Sequence, residues 1–473
     1  LTSGYYIGDE FISIGETKDY EITVIDGIEN YISGNSGGGT SEIILGTIND
    51  DFIDHAGGDD RIDGKEGNDT LLIGADTTSY AFIFPIVENY SWNVYGNFVI
   101  DTVSGITKIR VAPDAGSTYA YDDITLINVE SIKFNNAYLR LNTELPTQSI
   151  IWGTITTDDL LGTDNNDLFD SAGGDDYING KDGNDTLAIF SNQSNFEIWT
   201  VAGITKAIGG YIDYYLYTNE YWYSYSTITI VNVETIDFRN GSLDLDTALP
   251  SENIIWGTSN SENLIGTSED DLFDSAGGAD FIDGKAGNDT VAIFTTKNDF
   301  AFFGDVLTLG GITKMFSGWS YFGFGNEYYN YTIKLINIET VQFNDEALTL
   351  DTTLITDNVI WGTSSSENLI GTDNDDLFDS VGGDDYINGK DGNDYLVIFE
   401  NKNSFELLTV GGITKMFTST ASGIGHTYNY DVITHINIET IIFRDQDITL
   451  DTTLTAESII WGTTTNDNLL GTD

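Results

Sequence analysis

Between Gly153 and Ala188 the chain repeats itself every nine residues, as GTITTDDLL, GTDNNDLFD, SAGGDDYIN and GKDGNDTLA. An Asp holds the sixth place of each nonamer (Asp158, Asp167, Asp176, Asp185), and a large apolar residue holds the eighth (Leu160, Phe169, Ile178, Leu187). Glycine opens three of the four. Nine residues accommodate one tight turn, where glycine removes the Cβ that resists bending, and one short strand with a single inward side chain. Turns of alternate nonamers then stack on one edge, which sets Asp158 over Asp176 and Asp167 over Asp185.

Carboxylates brought that close repel each other. A hard cation held by both, and by turn carbonyls, relieves the repulsion, and an all-oxygen shell of this kind is the one calcium prefers. One cation per edge gives about two for each complete stretch. The stretch recurs at 37–72, 257–292 and 362–397 and starts again at Gly462. Its sixth-place acids are Glu42, Asp51, Asp60 and Asp69 in the first copy, then Glu262, Asp271, Asp280 and Asp289, then Glu367, Asp376, Asp385 and Asp394, with Asp467 in the last start. Glu262 and Glu367 stand where the pattern has Asp, so weaker or differently shaped sites are expected there.

These residues resemble the RTX, or hemolysin-type, nonapeptide G-G-x-G-x-D-x-U-x. Thr or Lys replaces the second Gly, and the first two nonamers lack the fourth. The resemblance implies a right-handed parallel β-roll that folds when it meets calcium outside the cell, and export by type I secretion through a C-terminal signal. Solvated turns of the same composition would set no period, whereas this one holds in register through four copies.

Trp152, Trp256, Trp361 and Trp461 recur about every hundred residues, so the unit is larger than the nonamer. The expected fold class is all-β, a tandem array of short calcium-binding parallel β-rolls alternating with β-sheet modules. Its expected parts are a cap or partial module at 1–36, then β-rolls at 37–72, 153–188, 257–292 and 362–397. Modules occupy 73–152, 189–256, 293–361 and 398–461, and 462–473 begins a fifth roll that a continuing chain or a neighbouring subunit completes.

Each module carries Gly-Ile-Thr-Lys (105–108, 203–206, 311–314, 412–415) and closes on Asn-Val/Ile-Glu before a Phe. Alternating β-branched residues mark strands throughout. The repeated Glu130, Glu234, Glu339 and Glu439 read as corner residues that satisfy buried backbone donors, ahead of a ligand or catalytic role. Aromatic runs at 211–225 and 319–331 read first as hairpins packed on their own sheet, and second as a sugar-stacking or protein-contact face. The joining segments are not Gly/Ser or Pro linkers, and the chain has 4 prolines, so a stiff rod is expected over beads on a string.

A formal net charge of −58 disfavours nucleic acid, which needs a basic face, and equally disfavours an anionic membrane. Bound calcium would offset part of the resulting self-repulsion. The sequence has no cysteine, so neither disulfides nor thiolate sites staple it. No apolar run reaches the length of a membrane span. Opening on Leu1, the chain reads as a fragment or a processed product.

The three histidines, His55, His426 and His435, form no H-E-x-x-H pair. Gly34-Asn-Ser36-Gly-Gly38 matches G-x-S-x-G without its strand-to-helix setting. The leading expectation is therefore a non-catalytic, extracellular structural protein: a rod, surface layer, adhesin or filament, with self-association or cell-surface and matrix contacts. Two other readings stay open, the repeat region of a secreted enzyme whose catalytic domain lies elsewhere, and an adhesin that binds polysaccharide.

Overall fold

The computed structural model describes residues 4–7, 10–13, 31–34, 42–55, 59–73, 82–83, 98–111, 122–134, 138–147, 149–209, 227–300, 306–316, 332–418, 432–453 and 459. The chain divides into two compact units, Leu1–Thr247 and Ala248–Asp473. Each unit contains two blocks built to one plan.

In the second block every nonamer contributes one short strand, and successive strands alternate between two sheets. Ser149–Trp152, Asp167–Asp170, Thr186–Ile189 and Thr235–Phe238 run parallel in one sheet, which Gly241–Asp244 closes antiparallel. Asp159–Leu161, Tyr177–Asn179 and Thr227–Val231 run parallel in the other, extended by antiparallel Ile204–Gly209 and Phe196–Val201. Leu160 pairs with Ile178 and Phe169 with Leu187, so one full coil takes two nonamers. The segment after the nonamers adds its strands to both of these sheets.

The eighth-place side chains point between the sheets. Leu160, Phe169, Ile178 and Leu187 join Ile228, Ile230, Ile236 and Phe238 in one buried cluster. Equivalent clusters fill the other three blocks. The described residues are all-β apart from one helical turn, Lys297–Phe300, and two 3-10 turns, Gln193–Asn195 and Lys402–Ser404. A strand at Phe82–Ile83 lengthens one sheet of the first block.

The Gly-Ile-Thr-Lys signature gains its explanation where two blocks of a unit meet. In the first unit Val103, Ile106 and Ile127 pack against Leu168, Ala188 and Phe190 of the next block. Within that apolar seam the Lys108 ammonium lies 2.8 Å from an Asp170 carboxylate oxygen, both side chains under a tenth exposed, and 4.3 Å from the Phe190 ring centroid. The second unit repeats the arrangement: Lys314 meets Asp379 at 2.7 Å over Phe399, beside Ile312, Phe316, Leu377 and Val397. The lysine of one block and the ninth-place Asp of the next roll thus key the blocks together within each unit.

The aromatic runs, Ser36 with Gly37 and Gly38, His426 and 460–473 lie outside the described residues. A buried ion pair costs more when one partner is removed than when both are replaced. Lys108→Ala is expected to destabilise the first unit by about 3–5 kcal/mol, while the double change Lys108→Met with Asp170→Asn recovers most of that loss. Chemical denaturation of the three proteins in calcium checks this, and equal losses in the single and double variants would contradict it.

Candidate metal centre

The sixth-place acids divide two backbone tasks between them. One is to receive the N–H of the acid one coil earlier: the Asp158 N–H donates to Asp176 Oδ1 at 3.0 Å, and the Asp167 N–H donates to Asp185 Oδ1 at 2.7 Å. The other is to cap its own turn: the Thr154 N–H donates to Asp158 Oδ2 and the Thr163 N–H to Asp167 Oδ2, each at 2.6 Å. Glu42 and Asp51 donate to Asp60 and Asp69 in the first block. In the third, Glu262 and Asp271 donate to Asp280 and Asp289; in the fourth, Glu367 and Asp376 donate to Asp385 and Asp394. Glu262 and Glu367 therefore make the same links as Asp despite one extra methylene, each also capping its turn through Thr258 or Thr363. Asp467 lies outside the described residues.

The Thr that departs from the glycine pattern has a local reason. Standing second in the first two turns of the second, third and fourth rolls, it supplies a donor for the acid four residues on, as in the bonds from Thr154 and Thr163. Acids of the third and fourth nonamers lack this cap. Buried carboxylate oxygens without a hydrogen-bond partner include Oδ2 of Asp69, Asp176, Asp185, Asp280, Asp289, Asp385 and Asp394. All seven residues are at most 2% exposed. In the first block Asp60 Oδ2 instead has the His55 ring nitrogen at 3.3 Å.

Backbone carbonyls converge on the same edges. The fourth-place Gly183, at φ +146°, lies so close to the preceding coil that a Cβ would sit 2.8 Å from Asn165 O and 2.9 Å from Asp185 Oδ1. Beside Gly180, the space of a Cβ is already taken by Asn232 O and Asp185 Oδ2. The same pair of oxygens recurs beside Gly64, Gly284 and Gly389, from Asn128 and Asp69, Asn337 and Asp289, and Asn437 and Asp394. Among the described residues no three His, Asp or Glu side chains form a cluster, so a bound cation would draw on two carboxylates at most and complete its shell from carbonyls. That donor set, all oxygen and partly main-chain, fits a hard divalent ion.

Burial is the main force on these carboxyls. It pushes Asp69, Asp176 and Asp394 up from 3.8 to about 7, and Asp185, Asp280, Asp289 and Asp385 to about 6. Donation from the backbone N–H one coil earlier pulls each down, and the neighbouring acids of the column push each up again. Among the described histidines, His435 is 1% exposed, and burial lowers its pKa to about 4, so it is neutral at physiological pH.

Two features were missed in the sequence. Fifth-place residues form a second ladder outside the first: the N–H groups of Asn68, Asn184, Asn288 and Asn393 donate to Asp50, Asn166, Asp270 and Asp375. The module's Asn-x-Glu is also part of the edge. Asn128, Asn232, Asn337 and Asn437 turn the chain at φ between +51° and +53°. Glu130, Glu234, Glu339 and Glu439 then accept the N–H of Asp69, Asp185, Asp289 and Asp394 at 2.6–2.8 Å, the backbone-satisfying role expected for them.

Stacked acidic turns on two edges of a parallel coil define a calcium-binding β-roll. The family model of the RTX calcium-binding nonapeptide repeat matches four times, at residues 36–71, 152–187, 256–291 and 361–396. The chain therefore carries four blocks of the RTX calcium-binding nonapeptide repeat, a repeat typical of secreted proteins. No curated protein matches it. Among solved structures it is similar to the extracellular lipase LipA from Serratia marcescens, at 14% identity and a TM-score of 0.12. That match covers 63% of this chain and 39% of the lipase. Among the described residues no helix is long and apolar enough to cross a membrane.

Two predictions follow from this geometry. Gly183→Ala combines a left-handed φ with a carbonyl clash, so it is expected to cost more than the ~1 kcal/mol of an ordinary glycine replacement; thermal unfolding with calcium present measures it. In chelator, acids that keep protons up to pH 6–7 when folded, but only to about 3.8 when unfolded, make the folded chain the better proton binder. Its stability is therefore expected to rise as pH falls from about 7 towards 4. Circular dichroism in chelator that shows no gain in strand content between pH 7 and pH 5 would contradict this.

Proposed function

We propose that the chain is a secreted, non-catalytic calcium-binding protein with a structural role at the cell surface or in the extracellular matrix, folded and rigidified by the ions it binds. The ligands are the sixth-place acids of alternate nonamers with turn carbonyls between them, about two ions for each four-nonamer roll. The observation that supports this most is the set of buried carboxylate oxygens without partners, of which Asp176 Oδ2 and Asp185 Oδ2 stand on the two edges of one roll. A buried acid left without a partner is costly, and a divalent cation between the coils removes that cost.

The structural role draws its support from the seams between blocks. The same lysine and the same ninth-place Asp lock successive blocks within each unit, which suits a load-carrying or surface-covering array that must not flex at every joint. Export by type I secretion accords with calcium-dependent folding, because a roll that stays unfolded at low calcium inside the cell folds only once it is outside. Self-association and contacts with the cell surface or matrix belong to the same reading.

Calcium titration of the chelator-treated protein, followed by circular dichroism, tests the central step. Strand content is expected to rise cooperatively with calcium and to collapse again in chelator; strand content indifferent to chelator would refute calcium-driven folding. Hydrolase activity in the purified native protein would overturn the non-catalytic part alone.

A further inference from the structure

In each block one of the two columns of acids continues past the nonapeptide stretch. In the second block Asp167 donates its N–H to Asp185 Oδ1, and Asp185 in turn donates its N–H to Glu234 Oε2, both at 2.7 Å. The two rungs are equivalent. The strands agree: Thr186, the seventh residue of its nonamer, pairs in parallel with Thr235, and Leu187 with Ile236, so Glu234 holds the sixth place of a further coil. Asn232 opens that coil as Gly180 opens the one before it, since the Gly180 N–H donates to Val231 O just as the Gly162 N–H donates to Asn179 O. Asn-Val-Glu is thus a nonapeptide turn with three residues removed, keeping the opening residue and the acid.

We propose that Glu130, Glu234, Glu339 and Glu439 each hold a further calcium ion with the last Asp of the roll they follow, at a site the nine-residue pattern does not contain. Two observations beyond the acids themselves point to a ligand there. The first is the orphan oxygen: Asp69, Asp185, Asp289 and Asp394 are 0% exposed, and Oδ2 of each has no hydrogen-bond partner. The second is the carbonyl beside it. Asn232 O and Asp185 Oδ2 share the hollow that only Gly180 leaves open, and the other three blocks reproduce that pairing. Between nonamers of the same column, the carbonyl in this position is that of Gly180, beside Gly162 and with Asp167. The shortened coil therefore presents the same three groups: the Asp185 carboxylate, the Asn232 carbonyl beside it, and the Glu234 carboxylate held on the Asp185 N–H. Glutamate's longer side chain offsets the reach that the missing turn residues take away.

This inference rests on the reading of the nonapeptide acids as calcium ligands, and the experiment separates the two. Native mass spectrometry counts calcium on the full chain and on its E234Q variant, whose amide oxygen still accepts the Asp185 N–H but carries no charge. The variant is expected to keep its strand content by circular dichroism and to lose one calcium; an unchanged count overturns the proposal. Should E234Q not fold, anomalous diffraction from the calcium-loaded wild type decides, with a metal peak required within coordination distance of both Asp185 and Glu234. Peaks on the nonapeptide rungs without one at this rung also overturn the proposal, whereas a wild type that binds no calcium at all refutes the underlying reading instead.

Discussion

The structure depends on carboxylates that are buried in columns and stacked one coil apart. Two like charges about 4 Å apart in a medium of effective dielectric near 20 repel by roughly 4 kcal/mol. A few such pairs exceed the whole stability of an ordinary domain, about 5–15 kcal/mol. Part of the strain is met locally, because the carboxylates of the third and fourth nonamers accept an N–H from the coil before them and so fix the register of the stack. The remainder falls on Asp69, Asp176, Asp185 and their counterparts, each with a buried oxygen left over. The coil geometry and the need for a cation are one constraint seen from two sides.

The hydrophobic core of each block is thin by comparison. A nonamer delivers one fully inward side chain, such as Phe169 or Ile178, and each block closes its own cluster. What carries rigidity from block to block is the seam in which Lys108 or Lys314 is buried against the next roll's Asp and over a Phe ring. A buried pair of this kind adds little net stability, yet any other docking would strand a charge in apolar surroundings. It therefore specifies how blocks meet more than how tightly they hold.

The roll itself was legible in the sequence, because a nine-residue period places acid and apolar residues without reference to the rest of the chain. Leu160 over Ile178 and Asp158 beside Asp176 follow from counting alone. Counting fails where the period is broken. Removal of three turn residues hides Glu234 from the nonamer register, although its environment is that of a sixth-place acid. The partner of Lys108 is 62 residues away, in a block whose orientation no local pattern states. Sharing of sheets between nonamers and the following segment was equally hidden, since alternation marks a strand but not its neighbour.

The shortened turn also explains why a roll stops after four nonamers. Every added coil brings another buried acid, and a parallel stack left open exposes unpaired strand edges that invite association. Asn232 bends the chain in a left-handed conformation that asparagine tolerates, and Glu234 supplies the last acceptor of the column. From there Gly241–Asp244 folds back antiparallel and ends one sheet, as Ile204–Gly209 and Phe196–Val201 end the other. A single three-residue motif thus closes the column of acids at the coil where the sheets turn antiparallel, and the same solution appears in all four blocks because each has the same edge to close.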